Sequence, residues 1–215
     1  MSGFGAVGDV PVAGDWTDNG TKKIGVFRNG TWILDYNGNN AWDGTPADKM
    51  FAFGAVGDIP IVGDWNHDGI DKIGVFRSPG VWILDYNGNG IWDGTPTDKI
   101  YGFGAAGDVP VVGDWTGNGT KKIGIFRSPG VWALDDNGNY AWDGSTTDQI
   151  FGFGTVGDSP VVGTWNQSID AIGVFRSPGV WVLDWNNNHA WDGTPADKIY
   201  GFGAVGDLPV TGTWS

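Results

Sequence analysis

Near-identical text returns along this chain at a fixed step. The tripeptide "GDW" carries Asp15, Asp64 and Asp114, and its variant "GTW" carries Thr164 and Thr213, a spacing of 49 or 50 residues. "FRNG" or "FRSPG" follows each of the first four copies. Copies this alike fold as the same unit. A unit this small buries its apolar surface by stacking on its neighbours.

One unit reads as four strands. They are "VPVAGDW" (Val10 to Trp16), "KIGVFR" (Lys23 to Arg28), "TWILDY" (Thr31 to Tyr36) and "KMFAFG" (Lys49 to Gly54). Each is short, rich in Val, Ile, Phe and Trp, and bounded by Gly, Pro, Asn or Asp. No stretch carries a helical apolar period. The pattern predicts an all-β chain: a β-propeller of four near-identical four-stranded blades. The units run approximately 5–53, 54–103, 104–153 and 154–202 within one repeat domain. A partial unit at 203–215 repeats the first strand. A β-helix is the rival, but its shorter coils would show a finer period.

The remaining strand poses a topological question. Val10–Trp16 and Leu208–Trp214 have nearly the same sequence, and only one fills the same slot of a four-bladed ring. An unpaired apolar strand is a pairing hazard. Self-association by strand exchange is therefore expected.

Composition narrows the function classes. A net charge of −13 and a pI near 4.2 argue against nucleic acid and anionic membranes as partners. The absence of Cys removes disulfides, thiolate metal sites and Cys nucleophiles. No window approaches the ~18 apolar residues of a membrane span, so no membrane insertion is expected. "MSGFGAVGD" has no basic region leading into an apolar run, so no signal peptide is read there. Met1 and Ser2 directly ahead of repeat sequence suggest an excised or designed module.

Each unit also carries an oxygen-rich loop, first seen as "DYNGNNAWD". Asp35, Asn37, Asn39 and Asp43 hold its positions 1, 3, 5 and 9. The set returns as Asp85, Asn87, Asn89 and Asp93; as Asp135, Asn137, Asn139 and Asp143; and as Asp184, Asn186, Asn188 and Asp192. Alternating side-chain oxygens plus one carbonyl can wrap a hard cation such as Ca²⁺. The competing reading is a metal-free turn. Asn-Gly is itself a hairpin signal, and Asx side chains satisfy their own loop backbones.

These loops, with "FG" and "GDxPVxGDW" in every unit, resemble the FG-GAP and VCBS-type repeats of secreted bacterial proteins and integrin-like propellers. The resemblance spans essentially the whole chain. It implies a β-propeller and loop-bound Ca²⁺, and it points outside the cell or to its surface. The loops depart from the family's pattern at position 6, where Gly is usual. Gly90 conforms, whereas Asn40, Tyr140 and His189 do not. Tyr140 is expected to strain there.

The family's usual ion loop follows "GDW", and here it is altered. Lys23, Lys72 and Lys122 stand at its ninth position, opposite Asp15, Asp64 and Asp114. A Lys donates to the oxygens a cation would collect. In the fourth unit Thr164 and Ala171 replace Asp and Lys together, as a charge pair would. These loops are expected to be Lys-stapled and metal-free, with Asp68 making the second the exception to watch.

Fourteen Trp are unusual. Most should pack between blades. Trp42, Trp92, Trp142 and Trp191 sit in polar loops and are candidate sugar platforms. Arg28, Arg77, Arg127 and Arg176 recur once per unit and read as structural forks to a carboxylate or to loop carbonyls, with an anion-binding ring as the alternative. His67 and His189 are isolated and read as solvated turn residues. No catalytic set is present, so a non-enzymatic role is expected. That role is a Ca²⁺-stabilised extracellular module for binding or scaffolding, with an unknown protein or glycan as partner. The alternatives are a lectin with Trp-lined pockets, and a purely structural, self-assembling, engineered repeat.

Overall fold

The computed structural model describes residues 4–166 and 168–211. No helix occurs among them, and four antiparallel four-stranded sheets make up the four blades of a β-propeller. Blade 1 contains β1 (Val10–Gly14), β2 (Lys23–Arg28), β3 (Thr31–Leu34) and β4 (Lys49–Ala52). Blade 2 contains β5 (Ile59–Gly63), β6 (Lys72–Arg77), β7 (Val81–Leu84) and β8 (Lys99–Gly102). Blade 3 has β9 (Val109–Gly113), β10 (Lys122–Arg127), β11 (Val131–Leu134) and β12 (Gln149–Gly152). Blade 4 has β13 (Ser159–Gly163), β14 (Ala171–Arg176), β15 (Val180–Leu183) and β16 (Lys198–Gly201). Strand order follows chain order in every sheet. The second strand matches its expected bounds. The others end two residues early, where Asp15, Asp35 and Phe53 turn into loops.

The described chain forms two compact units, residues 4–102 and 103–211. Within each, the alternation of a strand's side chains builds the core. Phe27, Trp32 and Phe51 align across three strands of blade 1; Val26, Ile33 and Met50 align on the opposite face. Phe27, Trp32 and Leu34 then pack with Ile73 and Val75 of blade 2. In the other unit Phe126, Trp132 and Leu134 meet Ile172, Val174 and Val182. An aromatic face on one blade is thus covered by an aliphatic face on the next. Within blade 1, Gly25 leaves room for its cross-strand partner: a Cβ there would come within 2.6 Å of Leu34.

The third-strand Trp has a second role. Trp32 Nε1 donates to the Phe53 carbonyl at 2.8 Å, and Phe53 N donates to Gly30 O at 3.0 Å. The same latch holds Phe153 through Trp132. A buried indole must find an acceptor, and here that acceptor is the segment leaving the blade. Trp16, Trp32, Trp65, Trp82, Trp115 and Trp132 are buried, and Trp165 and Trp181 pack against a core cluster, so the packing role expected of most Trp is met by these eight.

The segment that repeats the first strand forms no strand over residues 208–211, and the rest of it lies outside the described residues. It runs beside β13, where Thr211 Oγ1 donates to Val162 O at 2.6 Å.

Candidate functional sites

The "GDW" loops are closed by lysine. Lys72 Nζ donates to Asn66 Oδ1 at 2.6 Å and to Ile70 O at 3.0 Å, and also to Asp68; Asp64 lies 3.6 Å away. Those are the first, third, fifth and seventh positions of the loop, so the ammonium occupies the centre a cation would. Lys23 donates to Thr17 and Asn19, with Asp15 at 4.0 Å. Lys122 donates to Thr116. All three lysines are buried. The Asp carboxylates are turned chiefly toward backbone. Asp15 accepts from the N–H groups of Thr17, Asn19 and Gly20. Burial alone would raise its pKa; those N–H groups, with Lys23, bring it below the ordinary value. The lysines point into their loops as expected, but the expected Asp partner is not the close one. Asp15 and Asp64 stand 4.0 and 3.6 Å from their lysines, beyond hydrogen-bond range, whereas Thr17, Asn66 and Thr116 are direct acceptors, and only Lys72 spans the whole oxygen set.

The "DYNGN" loops bring their four predicted residues together. In blade 1, Asp35 accepts from Gly38 N and Asn40 N at 2.7 and 2.8 Å. Asn37 and Asn39 accept from Asn39 N and Ala41 N through their side-chain oxygens. Their Nδ2 groups converge on Asp43 Oδ2 at 2.8 and 2.5 Å. These amides draw the Asp43 carboxyl below its ordinary value. The arrangement recurs at Asp93, Asp143 and Asp192. The oxygens have the type and spacing a hard cation needs, but the amides here present nitrogen to Asp43. A cation at that point requires Asn37 and Asn39 to turn oxygen inward. Among the described residues no three His, Cys, Asp or Glu side chains gather for a metal, so a cation would depend on those amides.

Position 6 keeps the left-handed backbone despite its varied side chains. Asn40, Gly90, Tyr140 and His189 have φ of 63°, 77°, 65° and 64°. The N–H at position 6 donates to the first Asp of the loop in every blade, which holds the turn, and the neighbouring repeat bears on the side chain. Phe51 lies so close over Gly90 that a Cβ there would meet its ring at 2.0 Å. Phe151 stacks flat on His189, with ring centroids 4.2 Å apart. His189 is therefore a packed residue, which corrects the solvated reading; burial lowers its pKa, against the pull of Asp184 and Asp136. His67 is exposed, as expected.

A second carboxylate under each loop was missed from sequence. Asp48 is fully buried and accepts from Tyr36 N at 3.0 Å and Asp43 N at 2.7 Å. Asp98, Asp148 and Asp197 repeat this. Its regular place before the fourth strand was the available signal. Also missed were the partners of the arginines. Arg77 Nε and Nη2 donate to the two oxygens of buried Asp58 at 2.7 and 2.8 Å. Arg28, Arg127 and Arg176 pair likewise with Asp9, Asp108 and Asp158. The expected carboxylate fork is therefore present in each blade, and it raises the pKa of every guanidinium.

Beside three of the forks lies a loop Trp. Trp92 is 43% exposed and meets Phe53 edge-on at 6.5 Å. Together with Arg77, Ile83 and Ile100 they line a cavity of about 360 Å³. Equivalent cavities of about 330 and 320 Å³ hold Trp42 with Arg28 and Trp191 with Arg176. Trp142 and Phe103 repeat the ring contact at 6.4 Å. Among the described residues the indole N–H of each loop Trp has no protein acceptor. Each cavity thus combines an aromatic wall, aliphatic walls, and N–H donors from indole and guanidinium.

Comparison with protein-family models, curated proteins and solved structures gave no match.

Proposed function

We propose that this chain is a non-enzymatic binding module of the FG-GAP and VCBS type, whose ligand sites are the repeated Trp–Arg cavities. The supporting observation is their recurrence: exposed Trp, paired Arg and aliphatic floor return together in three cavities of nearly equal volume. Exposed aromatics gathered with polar donors in a concave, partly apolar site are the usual make-up of a ligand pocket. A sugar ring suits such a cavity. Its C–H face packs on indole, and its hydroxyl oxygens accept from Arg Nη1 and Trp Nε1. Weak sites presented several times gain by avidity.

The oxygen-rich loops support a second element of this reading, a structural Ca²⁺ in each blade. Four such ions would offset eight of the thirteen net negative charges. An ion-dependent module of this kind suits the calcium-rich exterior of a cell. A scaffold without small-molecule ligands is the remaining reading.

A glycan array run with and without chelator tests both elements. Retained glycans whose signal is lost in Trp92→Ala and Trp191→Ala variants support the lectin reading. Silence from folded protein removes it and leaves the scaffold.

A further inference from the structure

Beneath the four-fold repeat lies a two-fold one. The residues at 22, 71, 121 and 170 read Lys, Asp, Lys, Asp. The residues just before them read Thr21, Ile70, Thr120, Ile169. Thr17, Asn66, Thr116 and Asn166 alternate in the same way, as do Phe51, Tyr101, Phe151 and Tyr200. Blades 1 and 3 are thus of one type, and blades 2 and 4 of another. Each compact unit contains one of each, in that order.

The alternating charge lies where two blades touch. Asp71 of blade 2 accepts from Lys22 Nζ of blade 1 and from Asp15 N at 2.7 Å, while its own N–H donates to Asp15 O at 2.9 Å. Asp170 of blade 4 repeats each contact with Lys121, with Asp114 N at 2.8 Å and with Asp114 O. Both Asp are buried, and both Lys are partly covered.

We propose that this contact selects which type of blade packs on which: the outgoing face of a Lys-type blade is a recognition surface for an Asp-type blade. The main apolar contacts do not make the choice, because Phe27, Trp32 and Leu34 of blade 1 recur as Phe76, Trp82 and Leu84 of blade 2, and again in blades 3 and 4; the alternations at Thr21/Ile70 and Phe51/Tyr101 change shape but carry no charge. The polar contact can. A Lys-type blade placed on blade 1 would set a second ammonium against Lys22 and offer no acceptor to Asp15 N. A buried N–H without a partner and a like-charge pair both count against that arrangement. The choice is directional, because Asp71 accepts from a backbone group of the preceding blade. Near-identical repeats are prone to misassembly, and this contact distinguishes the intended neighbour from the others. The partner class follows: an Asp-type blade, in this chain or in a second copy of it.

The test is a set of variants of the full chain, followed by thermal melting and by the yield of soluble refolded protein. Lys22→Asp sets two carboxylates together and should lower the midpoint on the order of 2–4 °C, as about 1 kcal/mol does in a chain of this size. Asp71→Asn keeps an acceptor for Asp15 N but removes the charge. In that background Lys22→Asp should cost little. Asp71→Lys should be worse than Asp71→Asn in both midpoint and yield. The same pattern is expected for Lys121 and Asp170. An equal cost of Lys22→Asp in both backgrounds overturns the proposal, as does an Asp71→Lys variant that folds as well as Asp71→Asn. If Lys22→Asp alone gives no soluble protein, recovery in the double variant supports the selection and continued loss refutes it.

Discussion

Asp85 and Asp98 grip the same loop from below, both buried and each saturated by backbone N–H groups. Asp85 accepts from Gly88, Asn89 and Gly90, and Asp98 from Tyr86 and Asp93. Burial first, and the Asp98 charge after it, lift the Asp85 pKa from 3.8 to about 6 against those donors. Asp135 and Asp184 are raised for the same leading reason. Between pH 3.8 and about 6 the folded chain binds a proton that the unfolded chain releases. Stability therefore falls as pH rises through that window.

The first prediction follows from that sign. Melting temperature should rise on going from pH 7.5 to about 5. It should fall again under stronger acid, as Asp9, Asp15 and Asp43, whose pKa values are lowered, take up protons. Asp98→Asn should flatten the rise in part, because burial of Asp85 remains. A profile that climbs steadily from pH 5 to 7.5 would contradict this.

Lys72 leads to the second. Replacing it with Asp leaves Asp64, Asn66, Asp68 and the Ile70 carbonyl around a centre without its ammonium. Lys72→Asp should melt lower than the parent in chelator. Millimolar Ca²⁺ should then restore more to this variant than it adds to the parent. Equal increments in the two proteins would mean that the vacated loop binds nothing.

A third concerns the "DYNGN" loops in the unaltered chain. A ligand that binds only the folded state raises its stability by mass action. Ca²⁺ should therefore raise the melting midpoint, and Asp43→Ala should reduce the gain. No heat in titration calorimetry and no midpoint shift would leave these loops as Asx turns closed by their own amides.

Fourth, two tryptophans of one blade should behave in opposite ways. Trp32→Ala removes a fully buried ring and its latch to Phe53, at a cost of about 3–5 kcal/mol. Trp42→Ala, at 40% exposure, should cost well under half of that in urea unfolding and should show its loss in ligand binding. Similar costs at both sites would argue that the loop Trp is structural.

A fifth expectation is self-association. Phe202 is 79% exposed, whereas the equivalent Phe53 and Phe153 are buried, and Leu208 is 67% exposed against 39% at the equivalent Ile59 and Val109. Light scattering should detect a concentration-dependent oligomer, weakened by Phe202→Ser. A monomer at high concentration refutes it.

The blades were legible because their signals are local. Lys23–Arg28 is short, rich in Ile, Val and Phe, bounded by turn residues, and repeats. The lysine staple was legible because Thr164 and Ala171 lose both partners in one copy. Asp48 was not, since an Asp ahead of a strand reads as a turn residue, and its burial depends on the loop folding over it. His189 escaped because the ring it stacks on belongs to another repeat. Alternation of Lys22 with Asp71 escaped for a different reason: a search for sameness between units passes over ordered differences.

The lysine-filled loops have a consequence for where such a chain can work. An ammonium tethered by its own side chain is present at a fixed local concentration. Dilution does not remove it, chelators do not strip it, and competing ions gain nothing by abundance. Three loops of this chain therefore do not draw their central cation from the medium. The oxygen-rich loops carry amides in that place and stay open to exchange with the surroundings. With Ca²⁺ in those loops, as proposed, one molecule would combine joints that carry their own cation with joints that borrow one.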